Sequence, residues 1–256
     1  MMKRSGFTLA EVLITLGIIG VVAAMTIPNL IANTNGAKFR SQFKKTVSTL
    51  NQAGLMAQAQ YDFDYAGTGA ADAEGNGGGC LNGSSDHPES VMTFCSILNG
   101  TLTGQTYVGK PTAGDDGKGG LKRNANGKAV AYSWVSGGTL ANGLALTDTL
   151  VYTLADGSIV GFHNKAGACE LPIGTQMTDT VIKGILAKCT GFIDVNGVTL
   201  PNKEVNCAGS KSAVVQTPCT VKNSANEMTD VFPIVFHDAT VEPASDAAKY
   251  VLTSSK

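Results

Sequence analysis

Hydrophobic positions are distributed unevenly along this chain of 256 residues. Residues 7–32 are almost continuously apolar and contain a single charged residue, Glu11. At about 1.5 Å per residue, a helix of this length covers about 39 Å, more than the ~30 Å hydrocarbon core of a bilayer. The pattern therefore predicts a helix over 7–32 that is able to cross a membrane.

A second helical pattern follows over residues 33–61. Its apolar positions recur at spacings of three and four, which is typical of an amphipathic helix. This apolar stripe consists of Phe39, Phe43, Val47, Leu50, Gly54 and Ala57. The cations of the segment 38–45 lie largely on the other sides. We expect one nearly continuous helix to residue 61, with Asn33–Gly36 as the segment able to loosen or break it.

The remainder, 62–256, is predicted to be a globular head. Gly-rich loops are predicted at 66–86 and 109–128. Strand-like runs occur at 129–135, 150–154, 159–163, 191–195, 231–237 and 249–252. The dipeptide Asp156-Gly157 predicts a β-hairpin between two of these runs. The fold class is therefore α+β: a long N-terminal helix packed on an antiparallel β-sheet.

Composition and charge exclude some classes of function. The chain has 19 Lys and Arg against 20 Asp and Glu, which gives a formal net charge of −1. This balance excludes a polybasic nucleic-acid binder, and no specific nucleic-acid partner is predicted. Motifs for a nucleophilic serine, a phosphate-binding loop or a zinc hydrolase are also missing, so we predict that the protein is not an enzyme.

Glu11 is the unusual feature of the apolar segment. A secretory signal peptide or a plain membrane anchor would explain the apolar run and the preceding Lys3 and Arg4, but neither explains a carboxylate within it. No Lys, Arg or His lies between Phe7 and Ala37, so this segment supplies no cationic partner. A partner from another molecule would satisfy Glu11, and the free α-amino group of a chain cut before Phe7 is the candidate.

The segment from Lys3 to Gly6, followed by Phe7-Thr-Leu-Ala-Glu11-Val, resembles the cleavage site of type IV prepilins and type II secretion pseudopilins. The resemblance implies that a prepilin peptidase removes the leader 1–6 after Gly6 and methylates Phe7. It also implies that Glu11 pairs with the N-terminus of a neighbouring subunit. Pro28 matches the helix-bending proline of such helices. The resemblance is strong over the first ~60 residues and weak beyond them.

This resemblance implies a structural subunit, a major or minor pilin, of a type IV pilus or related filament. The alternative is a pseudopilin of a type II secretion system, and an exported binding protein or enzyme is the third class. The implied partners are identical or related subunits, the prepilin peptidase and the inner-membrane assembly platform. The implied location is the inner membrane with the head in the periplasm, and then a surface pilus or a periplasmic pseudopilus.

Six cysteines follow the apolar segment, on the side that we expect to be exported. They are Cys80, Cys95, Cys169, Cys189, Cys207 and Cys219. Disulfides are favoured over zinc because the spacings do not match zinc ligands, although fifteen connectivities are possible for six cysteines. Sequential pairing closes the shortest loops and is the predicted arrangement.

One loop carries oxygen ligands of the kind that calcium takes. Asp194, Asn196, Asn202 and Asp230 belong to a pattern that resembles one in large bacterial prepilin-type heads. Asp and Asn oxygens around a Gly turn suit calcium. No Glu stands at the twelfth position from Asp194, so the EF-hand spacing is absent. The alternative is an Asn-Gly turn capped by its own side chains.

Overall fold

The computed structural model of the protein describes residues 8–69, 92–109, 112–113, 119–122, 129–131, 139–199, 201–207, 219–221 and 229–254. The predicted cleavage residues Gly6 and Phe7 and the cysteine Cys80 lie outside the described residues.

The first helix, α1, runs without interruption over Leu9–Tyr61. Its 53 residues extend for about 80 Å. The expectation that Asn33–Gly36 would loosen or break the helix is wrong. The Thr34 hydroxyl donates to the carbonyl of Leu30, and Gly36 is buried where the head begins to cover the helix. Packing thus overrides the weak helix propensity of this segment. The helix ends at Tyr61, and the next residue, Asp62, caps it with left-handed backbone angles.

Three shorter α-helices and nine strands make up the described head. The helices are α2 (Phe94–Thr101), α3 (Asp179–Lys183) and α4 (Asp246–Thr253). The strands are β1 (Thr106–Gly109), β2 (Thr112–Ala113), β3 (Gly119–Lys122), β4 (Ala129–Ala131), β5 (Thr149–Thr153), β6 (Ile159–His163), β7 (Thr190–Asp194), β8 (Val231–His237) and β9 (Thr240–Pro243). Single 3₁₀ turns occur at Leu146–Asp148 and Ala187–Cys189.

Six strands form one antiparallel sheet in the order β1-β5-β6-β7-β8-β9, and β2, β3 and β4 form a small second sheet. The predicted hairpin is present, because β5 and β6 pair across a turn in which Gly157 has a φ of 85°. The predicted α+β arrangement, a long helix followed by an antiparallel sheet, is therefore confirmed.

The main core lies between α1 and one face of the six-stranded sheet. Every residue of the predicted apolar stripe is buried there, from Phe39 to Ala57. A cluster of aromatic rings extends this core, since Phe94 lies with its ring centre 5.0 Å from those of both Tyr65 and Phe236. Phe236 reaches this cluster from β8, along which successive side chains alternate between the two faces of the sheet.

The opposite face of the sheet is buried as well. Val151, Ile159 and Phe192 form a second cluster with Leu140 and Leu144 of the preceding loop. The central strands are therefore apolar on both faces, which explains why their sequences read as continuous hydrophobic runs.

One predicted strand is wrong. Residues 249–252 belong to the helix α4, whose first turn is capped by the Ser245 hydroxyl accepting the N–H of Ala248. The cap and the run Asp246-Ala-Ala favour a helix, and these local signals outweigh the short apolar run that suggested a strand.

At the β9 edge of the sheet, the outward-facing backbone donors are either already bonded or missing. The N–H of Val241 donates to the side-chain oxygen of Asn51 on α1. Pro243, at the end of the same strand, has no N–H to donate. This edge thus offers few backbone donors to a further strand.

Candidate functional site

The N-terminal end of α1 is organised around Glu11. The N–H and the hydroxyl of Thr8 both donate to Glu11 Oε2, at 2.8 and 2.7 Å. In return, the N–H of Glu11 donates to the Thr8 hydroxyl at 3.3 Å. This reciprocal pair is a capping box, which satisfies backbone donors that the first helical turn leaves without partners.

Thr8 was not among the predicted partners of Glu11, because a carboxylate in an apolar segment predicts a cationic partner first. The signal was present in the chain, since Thr8-Leu-Ala-Glu11 has the spacing of a capping box. The Glu11 carboxylate of an isolated subunit therefore accepts two hydrogen bonds, one from the backbone N–H of Thr8 and one from its hydroxyl. Both bonds go to Oε2, so Oε1 is the oxygen that faces a further donor without competition from Thr8.

The helix that follows Glu11 has an apolar surface that the head does not cover. Leu9–Pro28 is long and apolar enough to cross a membrane, and none of it is buried. Its large side chains are mostly more than half exposed, with Leu9 at 78% and Met25 at 71%. Contiguous apolar surface of this extent is unstable in water, so it requires either lipid or other protein around it.

Pro28 lies inside α1. Because proline has no N–H, it makes no hydrogen bond to the carbonyl of Ala24, one turn earlier. The helical assignment continues through this position. The bend that the resemblance implies for Pro28 stays a prediction.

Polar contacts join the C-terminal half of α1 to the head. The Tyr65 hydroxyl donates to the carbonyl of Leu50 at 2.8 Å within the core. Nearer the apolar end, the ammonium of Lys44 donates to the carbonyl of Ser254 at 2.8 Å. That of Lys45 pairs with Asp156 at 3.3 Å. The head and the helix half that it covers therefore form a single packed unit.

Disulfides close two loops of the head. Cys169 is bonded to Cys189 and Cys207 to Cys219. These are two of the three pairs in the sequential arrangement. Cys95 is also disulfide-bonded, and its predicted partner Cys80 lies outside the described residues. The Cys169–Cys189 bond ties the segment that contains α3 to the core beside Tyr65, whose carbonyl accepts the N–H of Cys169.

The structure brings together the four residues of the candidate calcium loop. Asp230 is buried, and its carboxylate accepts the N–H groups of Asn202 at 2.9 Å and Lys203 at 2.6 Å and a bond from the Asn196 side chain. Burial raises the pKa of Asp230 to about 6, although these hydrogen bonds oppose the shift. Asp194 accepts the N–H of Asn196 at 3.2 Å, which caps the turn.

These contacts match the self-capped turn that was the alternative to a calcium site. One observation does favour a cation: the side-chain oxygen of Asn202 is buried and has no hydrogen-bond partner among the described residues. The described part of the chain contains no group of three His, Cys, Asp or Glu side chains that could hold a metal. An ion at this loop would therefore need the amide oxygens of Asn196 and Asn202 beside the two carboxylates.

The arrangement as a whole, a long N-terminal apolar helix followed by an antiparallel six-stranded sheet, is consistent with a pilin-like fold. Residues 1–27 match the family model described as the prokaryotic N-terminal methylation motif, which is the leader of type IV prepilins and pseudopilins. The match covers the cleavage residues Gly6 and Phe7 and also Glu11. No curated protein and no solved structure matches the chain significantly. The motif supports a type IV pilin or pseudopilin in general, and hence a structural subunit rather than an enzyme.

Proposed function

We propose that this protein is a subunit of a type IV pilus or a related filament, assembled through its N-terminal helix. The observation that carries the proposal is the uncovered apolar segment Leu9–Pro28, which continues as one helix into the core of the head. Such a segment would lie in the inner membrane with the head in the periplasm. In the filament it would pack against copies of itself with the heads outward.

In this mechanism, processing by the prepilin peptidase creates the charge that Glu11 needs. Cleavage after Gly6 leaves the amine of Phe7 at the end of the chain. A neighbouring subunit would place that amine against Oε1 of Glu11, while Thr8 holds Oε2. The two opposite charges attract strongly in an apolar filament core because the dielectric constant there is low. The pair would fix the axial position of each new subunit.

A pseudopilin of a type II secretion system would use the same helix, cleavage site and charge pair, but it would form a periplasmic pseudopilus. The two assignments differ in the machinery around the protein. Genes for an assembly ATPase together with a retraction ATPase beside this one would support the pilus. Genes for secretion-only components would support the pseudopilus.

The first test concerns processing. Intact-mass and N-terminal analysis of the protein from its native membrane should find a chain that begins at methylated Phe7. A chain that begins at Met25 would instead identify an ordinary signal peptide, because Val22 and Ala24 then form a signal-peptidase site.

The second test concerns assembly. Filaments sheared from cells that produce Glu11→Ala should be few or absent, because the incoming amine loses its partner. The cleaved, folded subunit should accumulate in the membrane. Ser48→Ala is a suitable control because Ser48 is exposed on the head half of the same helix. Equal filament yields from Glu11→Ala and wild type, at equal cellular protein, would contradict the assembly role of the charge.

Calcium at the loop of Asp194, Asn196, Asn202 and Asp230 is a second, separate proposal. The buried oxygen of Asn202 supports it. Calcium, but not an equal concentration of magnesium, should raise the thermal unfolding temperature of the protein, and Asn202→Ala should abolish that increase. An equal unfolding temperature with and without calcium would identify the loop as a capped turn.

A further inference from the structure

The cations that follow the apolar segment fall into two pairs with different surroundings. Lys44 and Lys45, which lie higher on α1, are engaged by the head through Ser254 and Asp156. Lys38 and Arg40 lie closer to the apolar segment, and neither has a carboxylate within ion-pair distance in the described part of the chain. Within the described residues, these two charges therefore take part in no ion pair.

Arg40 is the more informative member of the lower pair. Its Nε atom is buried from solvent and has no hydrogen-bond acceptor among the described residues. Its neighbour Phe39 is already in the core. Arg40 thus lies at the end of the head nearest the apolar segment, and its shielded Nε–H group has no acceptor in the part of the chain that the structure describes, which makes it able to take one from a bound ligand.

The position of these cations along the helix can be compared with the depth of a bilayer. Ile31 is the last of the large exposed apolar side chains of the segment. Lys38 and Arg40 are seven and nine residues further along an unbroken helix, or about 10 and 14 Å. The polar interface of a bilayer extends about 5–7 Å beyond the hydrocarbon core.

Side-chain direction reduces the remaining gap. Helical side chains lean toward the helix N-terminus, which for α1 is the direction of the membrane. Lysine and arginine side chains are long enough to extend several ångströms in that direction, so the charges of Lys38 and Arg40 are able to reach the depth of the lipid phosphates.

We infer that Lys38 and Arg40 bind the phosphate groups of anionic phospholipids while the subunit is stored in the membrane. This inference rests on the membrane storage in the proposed function. The contact holds the lower rim of the head against the bilayer. It must be released when the subunit is extracted into a filament, whereas the Lys44 and Lys45 contacts travel with the subunit.

The test measures lipid selection directly. The processed full-length protein is reconstituted into nanodiscs of phosphatidylcholine with phosphatidylglycerol as the minor component, and the lipids that remain bound are identified by native mass spectrometry. We expect phosphatidylglycerol to be enriched about fivefold or more over its share of the bilayer, the factor for at least one cation near an anionic surface. The enrichment should disappear in about 1 M salt, where the Debye length is about 3 Å.

The double variant Lys38→Gln/Arg40→Gln should lose the enrichment. The matched variant Lys44→Gln/Lys45→Gln removes the same charge from the same helix and should keep it. No enrichment in the wild type, or equal enrichment in both double variants, would overturn the inference. Since this measurement needs a membrane-inserted subunit but no filament, its failure is distinguishable from a failure of the Glu11→Ala assembly test.

Discussion

The ring of Phe43 on α1 stacks on the ring of Phe232 on β8, with centroids 4.3 Å apart and planes inclined by 18°. Both side chains are almost completely buried. This pair joins the helix that emerges from the head to β8, the strand next to the edge strand β9. The stability lost when this pair is disrupted therefore reports how strongly the head binds the helix.

Phe43→Ala should lower the free energy of unfolding of the head by about 3–5 kcal/mol, because it removes a buried ring and leaves a cavity. Chemical denaturation of the processed protein in detergent, followed by near-ultraviolet circular dichroism, would measure this loss. A double-mutant cycle with Phe232→Ala should give a coupling of about 0.5–1.5 kcal/mol for the stacked pair. Leu55→Ala is the control: Leu55 is 57% exposed on the same helix, so the change should stay within about 0.5 kcal/mol.

Thr8→Val should reduce filament assembly while leaving membrane insertion intact. The substitution keeps the shape of the side chain but removes the hydroxyl that donates to Glu11 Oε2 and accepts from the N–H of Glu11. Loss of such a cap weakens a helix terminus by about 1 kcal/mol and leaves the carboxylate less well oriented. The measurement is the yield of sheared filaments at equal cellular protein.

Thr15→Val is the matched control for this prediction. Thr15 lies two turns further along and donates to the carbonyls of Glu11 and Val12, not to the carboxylate. Its loss should leave assembly nearly unchanged. If both threonine variants assemble equally poorly, the defect comes from general changes in the apolar helix and the capping box has no specific role.

Gly161→Ala should destabilise the head, although alanine is usually preferred to glycine inside a strand. The ring of Phe192 covers Gly161 from the paired position on β7, and an added Cβ would lie 2.2 Å from a ring atom. We expect a loss of about 1–3 kcal/mol or more in the free energy of unfolding. Gly69→Ala, whose Cβ would meet its closest neighbour at 3.7 Å, should show no such loss.

The head should gain stability from His237 as the pH falls from 8 to 5.5. Glu242, at an ion-pair distance of 3.8 Å from Nε2, raises the pKa of His237, and Asp238 at 3.0 Å from Nδ1 adds to this against the effect of burial. A raised pKa means that the folded state binds the proton more tightly. The stabilising contribution of protonated His237 is complete below the unfolded-state pKa of about 6.5, and it is lost as the pH rises through the folded-state pKa.

His237→Gln should therefore cost more stability at pH 5.5 than at pH 8, by roughly 0.5–1 kcal/mol, since both carboxylates are partly exposed. His163 provides a control of opposite sign, because burial lowers its pKa and its neutral form is favoured. His163→Gln should cost less at the lower pH. A His237 effect that is independent of pH would show that the ring acts only through packing.

The helical half of the fold was predictable because its signals are local. The stripe from Phe39 to Ala57 repeats with the period of a helix, and each of its members is buried. The hairpin turn at Asp156-Gly157 is equally local. In contrast, Gly36 in the segment Asn33–Gly36 is buried by residues distant in the sequence. A pattern read over a few neighbouring residues does not include that contact.

The candidate site shows the same division. Glu11 was identifiable from its chemistry, since a lone carboxylate in an apolar segment is rare. The clamp around Asp230 joins residues nearly thirty positions apart, and its hydrogen bonds to Asn202 and Lys203 depend on how two loops meet. The residue types, Asp and Asn around a Gly turn, suggested metal ligands there. Backbone N–H groups, which carry no signature in a sequence, are the partners that the structure provides.

If the proposed function is correct, the lack of free donors at the β9 edge has a consequence for the packing of identical heads beside one another. An open strand edge beside many identical copies would invite adventitious β-addition and, from there, aggregation. The N–H of Val241 is already bonded to Asn51, and Pro243 has no N–H. The β9 edge of one head therefore offers few donors for pairing with a strand of another head. Association is thereby directed away from this edge and toward the apolar helix. Because Asn51 lies on that helix, displacing the helix from the head would also free the N–H of Val241 and expose an edge that is able to pair with another strand.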